Sequence, residues 1–204
     1  MQLVLMLGAL GLLGACSDKA ASDDTATPGE GEGEGEGEGD NGLPDLLASL
    51  DTDTEGCEER TDSDGVVHQV AGAVSYFYGV YNDNGDGTWD GEEYWLLYAN
   101  PEWVANGGAD CQIYWVASGT DGDPGACPTC DVGLDVNLQV DKTLSDCPEE
   151  LYEGFESSTV AYAVRHTSDT EATWYYASSG NELGAGYYNS GAMNFVTDRA
   201  CKWF

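Results

Sequence analysis

Apolar and polar residues alternate along much of the chain from about residue 66 onward. The clearest stretch is Asp131–Val140, where an apolar residue stands at every second position. This period of two is typical of a strand with one buried face and one face in water. Thr159–His166 has the same alternation. Further runs of strand length, rich in Val, Tyr or Trp, are Val66–Val70, Ala73–Tyr81, Glu93–Ala99, Gln112–Ser118, Thr173–Ala177, Gly186–Asn189 and Met193–Thr197.

Turn-forming residues separate these runs. The turn clusters are Asp64-Gly65, Asn84-Gly85-Asp86-Gly87, Asn100-Pro101, Asp121-Gly122-Asp123-Pro124 and Ser179-Gly180-Asn181. About nine short strands joined by such turns predict an all-β antiparallel fold, either a sandwich or a barrel. We prefer the sandwich, with the barrel as the alternative. One short helix is expected where Leu43, Leu46, Leu47 and Leu50 recur at helical spacing.

The N-terminus has a different pattern from the rest of the chain. Leu3–Leu13 is an unbroken run of apolar and small residues, which as a helix spans ~16 Å, about half of a bilayer core. Such a run is typical of a secretion signal rather than of a membrane-spanning anchor. We therefore predict a signal peptide at residues 1–15.

The end of this run resembles the lipobox of bacterial lipoproteins. The residues that carry the resemblance are Leu13-Gly14-Ala15-Cys16. The resemblance implies cleavage before Cys16, acylation of that cysteine, for example with palmitate, and attachment to a membrane through the lipid. The absence of Asp directly after Cys16 implies sorting to the outer membrane or cell surface, so the resemblance places the protein outside the cytoplasm.

A strict Gly-Glu alternation from Gly29 to Gly39 follows the predicted lipidation site. Glycine gives the backbone freedom, and the glutamates repel one another, so residues 16–42 are predicted to form a flexible, disordered linker ending in a lipidated cysteine. The remaining residues, 43–204, are enough for a single β-rich extracytoplasmic domain.

The chain is strongly acidic, with 38 Asp and Glu against 6 Lys and Arg and a net charge of −32. This excludes nucleic acid as a partner bound through phosphate neutralisation. Residues 45–204 alone hold 29 acidic and 5 basic residues, a net of −24. Because self-repulsion on this scale destabilises a compact state, additional stabilisation by disulfides or bound cations is expected.

Seven cysteines leave an even set of six once Cys16 is set aside. In an exported protein this predicts three disulfides among Cys57, Cys111, Cys127, Cys130, Cys147 and Cys201, with fifteen pairings open. Cys127-Pro128-Thr129-Cys130 has two further interpretations: a zinc knuckle completed by Cys111 and Cys147, or a redox motif. Structural disulfides are the preferred interpretation.

One segment resembles the calcium loop of EF-hand proteins. It runs from Asn82 to Glu93, with Gly87 at the sixth position, where that loop turns sharply. The resemblance implies calcium ligands at Asn82, Asn84, Asp86, Thr88, Asp90 and Glu93, the last of them bidentate. The alternative is a polar hairpin turn, since Asn-Gly and Asp-Gly are strong hairpin signals.

Other candidates for chemistry are less specific. Trp89, Trp103 and Trp174 lie near predicted turns and are candidates for stacking on a ligand such as a sugar. His68 and His166 are the only histidines, and a hydrolase using one of them is the third hypothesis. The first is a lipid-anchored, surface-exposed protein with a non-enzymatic structural or binding domain on a flexible stalk. The second is a calcium-supported module that binds carbohydrate or cell wall, so the expected partners are a membrane and a glycan or surface protein.

Overall fold

The structure, a computed structural model, describes residues 42–204. The predicted signal peptide, the lipidation site at Cys16 and nearly all of the predicted linker lie outside these residues. The described part is almost entirely β-structure. Its strands are β1 Glu59–Thr61, β2 Val67–Gln69, β3 Gly72–Asp83, β4 Thr88–Ala99, β5 Cys111–Asp121, β6 Val132–Val140, β7 Ser157–His166, β8 Glu171–Tyr176, β9 Glu182–Asn189, β10 Ala192–Thr197 and β11 Ala200–Trp203. Its helices are α1 Pro101–Ala105 and two 3-10 turns, Leu46–Ser49 and Glu149–Leu151.

Strands β3 to β10 form an antiparallel barrel in which each strand pairs with the next one along the chain. The barrel closes because β10 pairs with β3 as well as with β9, with Met193 opposite Tyr81 on one side and Tyr188 on the other. Closure removes the exposed edges that an open sheet would present. Strands β1 and β2 form a separate two-stranded hairpin.

The preference for a sandwich is wrong, and the alternative, a barrel, is correct. All nine predicted strand segments are strands in the structure, so the alternating pattern located them well. Alternation reports only that each strand buries one face, which holds equally in a sandwich and in a barrel. The deciding contact joins β3 to β10 across more than a hundred residues, and no local pattern records it.

Strand β11 pairs with β3, next to the stretch of β3 that pairs with β10. β4 occupies one edge of β3, and β10 and β11 share the other. The register shifts by one residue between the pairs Val196–Tyr78 and Ala200–Ser75, as a β-bulge at the intervening residues requires. After Thr197 the chain therefore continues along the same edge of β3 in a shifted register.

A buried asparagine links the start of α1 to β3 and to the segment before β3. The Asn100 side chain accepts hydrogen bonds from the backbone N–H of Gly72 and Trp103, and it donates to the carbonyls of Cys57 and Val70. We predicted a turn at Asn100-Pro101; the structure has a helix start, with Asn100 as the N-cap and proline at the first position. Trp103 of this helix is fully buried and its ring lies 4.4 Å from that of Phe204.

Buried apolar side chains among residues 42–204 form three clusters. The largest fills the barrel interior, with Trp, Tyr and Phe rings from most strands. A second lies on the outer face of β3, β4 and β11, where Leu50 of the N-terminal segment packs near Tyr76 and Leu96. A third contains Cys127, Ala163, Tyr175 and Ala177. Among residues 42–204, no helix is long and apolar enough to span a membrane.

Candidate functional site

A single carboxylate lies inside the barrel. Glu93 belongs to β4, and its neighbours at every second position, Gly91 and Trp95, face the interior with it. Its Oε1 accepts hydrogen bonds from the phenol hydroxyls of Tyr81 on β3 and Tyr162 on β7, the latter at 2.7 Å. Since β7 lies across the barrel from β3, this carboxylate links two opposite walls.

Two glycines make room for this cluster. A side chain at Gly79, directly opposite Glu93, would collide with the ring of Phe195. A side chain at Gly91 would collide with the ring of Tyr81. Glycine at these two inward positions therefore lets large aromatic rings pack around the carboxylate.

Burial governs the protonation of these three groups. Loss of solvation raises the pKa of Glu93 to about 7, against the opposing effect of the two phenol hydrogen bonds. Burial and the nearby carboxylate together raise the pKa of Tyr81 and Tyr162 well above the ordinary value. The site can thus take up or release one proton near neutral pH, but Glu93 is only 3% exposed and does not present a reactive group to solvent.

The predicted calcium loop is the hairpin between β3 and β4. Hydrogen bonds from its own side chains stabilise the turn. Asp86 accepts from both the hydroxyl and the backbone N–H of Thr88, and these bonds lower the pKa of that carboxyl. Asn84 donates to Thr88 and to Asp90, at 3.0 and 3.1 Å. Gly85 and Gly87 have positive φ angles, which explains the glycines of the motif.

The six predicted calcium ligands do not form one ligand set. Asn82 and Asp90 are cross-strand partners next to the turn, whereas Glu93 is held inside the barrel by two tyrosines. An EF-hand loop needs a bidentate carboxylate at its twelfth position. Here the carboxylate at that position lies inside the barrel and not at the turn. Both flanks are strands, as the alternating pattern predicts.

The three candidate stacking tryptophans are all buried. Trp89 is 6% exposed and donates through its indole N–H to Asp121 at 2.8 Å. Trp103 and Trp174 are fully buried, and Trp174 packs against the rings of Tyr81 and Phe195. These three rings belong to the core and do not form an exposed stacking platform.

The prediction of three disulfides is confirmed. The pairs are Cys57–Cys201, Cys111–Cys147 and Cys127–Cys130. Cys111 and Cys147 pair with each other, so they do not complete a zinc knuckle with the CxxC motif. That motif lies in the β5–β6 loop and not at the helix N-terminus that lowers the thiol pKa in redox CxxC sites.

The two histidines lie in different sheets, His68 on β2 and His166 at the end of β7. His68 is exposed, with its Nε2 2.8 Å from the Asp62 carboxylate in the β1–β2 hairpin. The His166 ring lies 4.8 Å from that of Tyr188, and its Nδ1 is 3.4 Å from Asp131. Each histidine therefore has a local structural partner.

Comparison with known proteins gives no relative. No family model matches the chain, and neither a curated protein nor a solved structure matches it.

Proposed function

We propose that the protein is a lipid-anchored, surface-exposed lipoprotein whose barrel is a non-enzymatic binding domain on a flexible acidic stalk. The observation that carries the proposal is the pairing of the cysteines into disulfides. Six of the seven are paired within the barrel domain, which leaves Cys16, at the end of the lipobox, as the cysteine for lipidation. Three disulfides are compatible with an oxidising location outside the cytoplasm.

The attachment of the N-terminal segment supports a tethered arrangement. The segment that follows the predicted stalk lies on the outside of the barrel, where its Pro44 carbonyl accepts a hydrogen bond from Asn194. Arg199 donates to the carbonyls of Asp53 and Glu55, and the Cys57–Cys201 bond follows directly. Tension on the stalk would therefore act on a covalently fixed point of the sheet.

The barrel interior supports a non-enzymatic role. It is filled by aromatic and aliphatic side chains, and its one carboxylate is enclosed by Tyr81 and Tyr162. Eight-stranded barrels are narrow enough for side chains to fill them. Binding would then use the outer wall or the loops, with a glycan or a surface protein as the partner class; the net charge of −32 disfavours nucleic acid.

The lipid anchor is tested by expressing the full chain in a bacterial host and separating detergent and aqueous phases. We expect the wild-type protein in the detergent phase, with a mature mass that includes acyl chains on Cys16. Cys16→Ser should move to the aqueous phase with its disulfides intact. An unacylated wild-type protein, or a Cys16→Ser variant that still enters the detergent phase, would contradict the proposal.

A further inference from the structure

The segment that precedes β1 lies along the outside of the barrel, and we call residues 42–56 of it the strap. Its Pro44 carbonyl accepts a hydrogen bond from Asn194, which stands opposite Val80 of β3. Further along, its Asp51 carbonyl accepts one from the Tyr76 hydroxyl at 2.8 Å. The strap therefore runs against the direction of β3, from the barrel end with the β3–β4 hairpin to the end with α1.

The strap is attached through its backbone and has no buried residue of its own. Every residue from 42 to 56 is exposed or half-buried, whereas the wall beneath it, at Tyr78 for example, is buried. Besides the two hydrogen bonds above, Arg199 donates to the carbonyls of Asp53 and Glu55. None of these residues forms a strand with the barrel. Segments that bury little apolar surface open at low free energy, so the strap should detach far more easily than a strand.

The residue that follows the strap is fixed in a different way. Cys57 is fully buried and forms a disulfide with Cys201, which pairs with Val74 of β3. Its carbonyl also accepts a hydrogen bond from the buried Asn100 side chain. Detachment that starts at the stalk must therefore stop at Cys57. Because Cys201 lies close to the C-terminal Phe204, the disulfide also joins the strap to the chain end without passing through the barrel.

The strap holds more chain than the distance it covers. Between Pro44 and Cys57 the chain can extend to ~45 Å. The wall positions that these two residues adjoin, Val80 and Val74, are separated by ~20 Å along β3. Detaching the strap would thus release roughly 25 Å of additional reach.

We propose that the strap is a releasable mount that gives the barrel two positions on its stalk; this rests on the proposed function of a barrel tethered to a membrane. In the attached position the stalk leaves the barrel at the end with the β3–β4 and β9–β10 hairpins. Under load the strap detaches as far as Cys57, and the barrel then hangs from the Cys57–Cys201 disulfide at its α1 end. Release therefore reverses which end faces the stalk, and it uncovers Tyr76 and Tyr78 on the outer wall.

The test is single-molecule force spectroscopy on residues 16–204 carrying Cys16→Ser, with handles at the two chain ends. We expect one low-force step of roughly 25 Å and no unfolding of the barrel, because the disulfide carries the load past it. Cys57→Ser/Cys201→Ser should show the same first step. It should then lengthen by about 500 Å as the 144-residue span between the two positions unfolds.

A single substitution tests the contacts that hold the strap. Arg199→Ala removes the donor to Asp53 and Glu55 and should raise the rate of release at a fixed load by roughly tenfold or more. Arg165→Ala is the matched control, because Arg165 lies on β7 over the Tyr175 ring and does not touch the strap. Its rate of release should equal that of the unsubstituted chain.

Hydrogen exchange of the full wild-type chain in detergent gives a measurement that needs no variant. Amides of the strap should exchange at least roughly tenfold faster than those of β3. Equal protection of the two segments, absence of the low-force step, unfolding of the barrel while the disulfide is intact, or equal release rates for the two arginine variants would each overturn the mount. If the protein is acylated and its strap does not release, the mount alone is overturned. If the strap releases and the protein is not acylated in cells, the proposed function alone is overturned.

Discussion

Replacing the interior carboxylate should change how stability depends on pH. In the folded protein the pKa of Glu93 is raised to about 7 from an ordinary value of 4.5. Between these values the folded state holds a proton that the unfolded state has released. The group therefore lowers the free energy of unfolding as pH rises from about 4.5 to about 7, and the loss is constant above that.

The size of the effect follows from the two pKa values. Their difference corresponds to about 3 kcal/mol of unfolding free energy. Glu93→Gln keeps an oxygen that can accept from Tyr81 and Tyr162 but has no charge to bury. The free energy of unfolding of the variant, relative to that of the wild type, should therefore increase by about 3 kcal/mol as the pH rises from about 4 to about 8.

The assay is urea unfolding with all disulfides intact, measured for both proteins across this pH range. Only the difference between the two curves matters, because the many other carboxylates contribute to both. Glu92→Gln is the matched control: it removes a carboxylate from the adjacent residue, on the outer wall, and should not reproduce the gain. A Glu93→Gln difference that stays constant with pH would refute the reasoning.

Three further predictions follow from the fold. The entropy that a disulfide removes from the unfolded chain grows with the length of the loop it closes. Cys57→Ser/Cys201→Ser should therefore lower the free energy of unfolding by about 5 kcal/mol, and Cys127→Ser/Cys130→Ser by about 2 kcal/mol. Equal losses in chemical denaturation would contradict this. Asn100→Ala should cost at least about 3 kcal/mol, since it leaves four buried backbone groups without their partner, whereas the exposed Asn137→Ala should change stability little. Calcium should shift the melting temperature of Glu93→Gln and of the wild type equally, because Glu93 lies inside the barrel; a shift present only in the wild type would restore it as a ligand.

Local patterns predicted most of the strands but not their closure. The alternation in β6 places Leu134 and Val136 inside and Asp135 outside, as the structure shows. The short strands β1 and β11 have no such pattern. β1 is exposed throughout, and β11 is held by its register with β3 and by the Cys57–Cys201 bond.

The interior carboxylate was visible in the sequence but was given a different role. Glu93 stands in register with Trp89, Gly91, Trp95 and Leu97, so the period of two predicts that it faces inward. The resemblance to a calcium loop instead assigned it to the turn. Its partner Tyr162 could not be predicted, because the curvature of the barrel brings β7 to β4 and no sequence spacing encodes that approach.

The contact between Tyr94 and Tyr114 on the outer wall also depends on tertiary structure. Tyr94 and Tyr114 are twenty residues apart, and only the register of β4 with β5 makes them direct neighbours. The tryptophans chosen from their nearness to turns are core residues instead. Nearness to a turn does not determine which face of a strand a ring occupies.

The central claim, a binding barrel displayed outside the cell on a lipid anchor, is tested most directly by exposing intact cells to a membrane-impermeant protease. The wild-type barrel should be released from intact cells by cleavage in the acidic stalk, as one disulfide-bonded fragment that begins before Cys57. The Cys16→Ser variant should not remain attached to the cells. Protection of the wild-type protein until the cells are lysed would contradict the account.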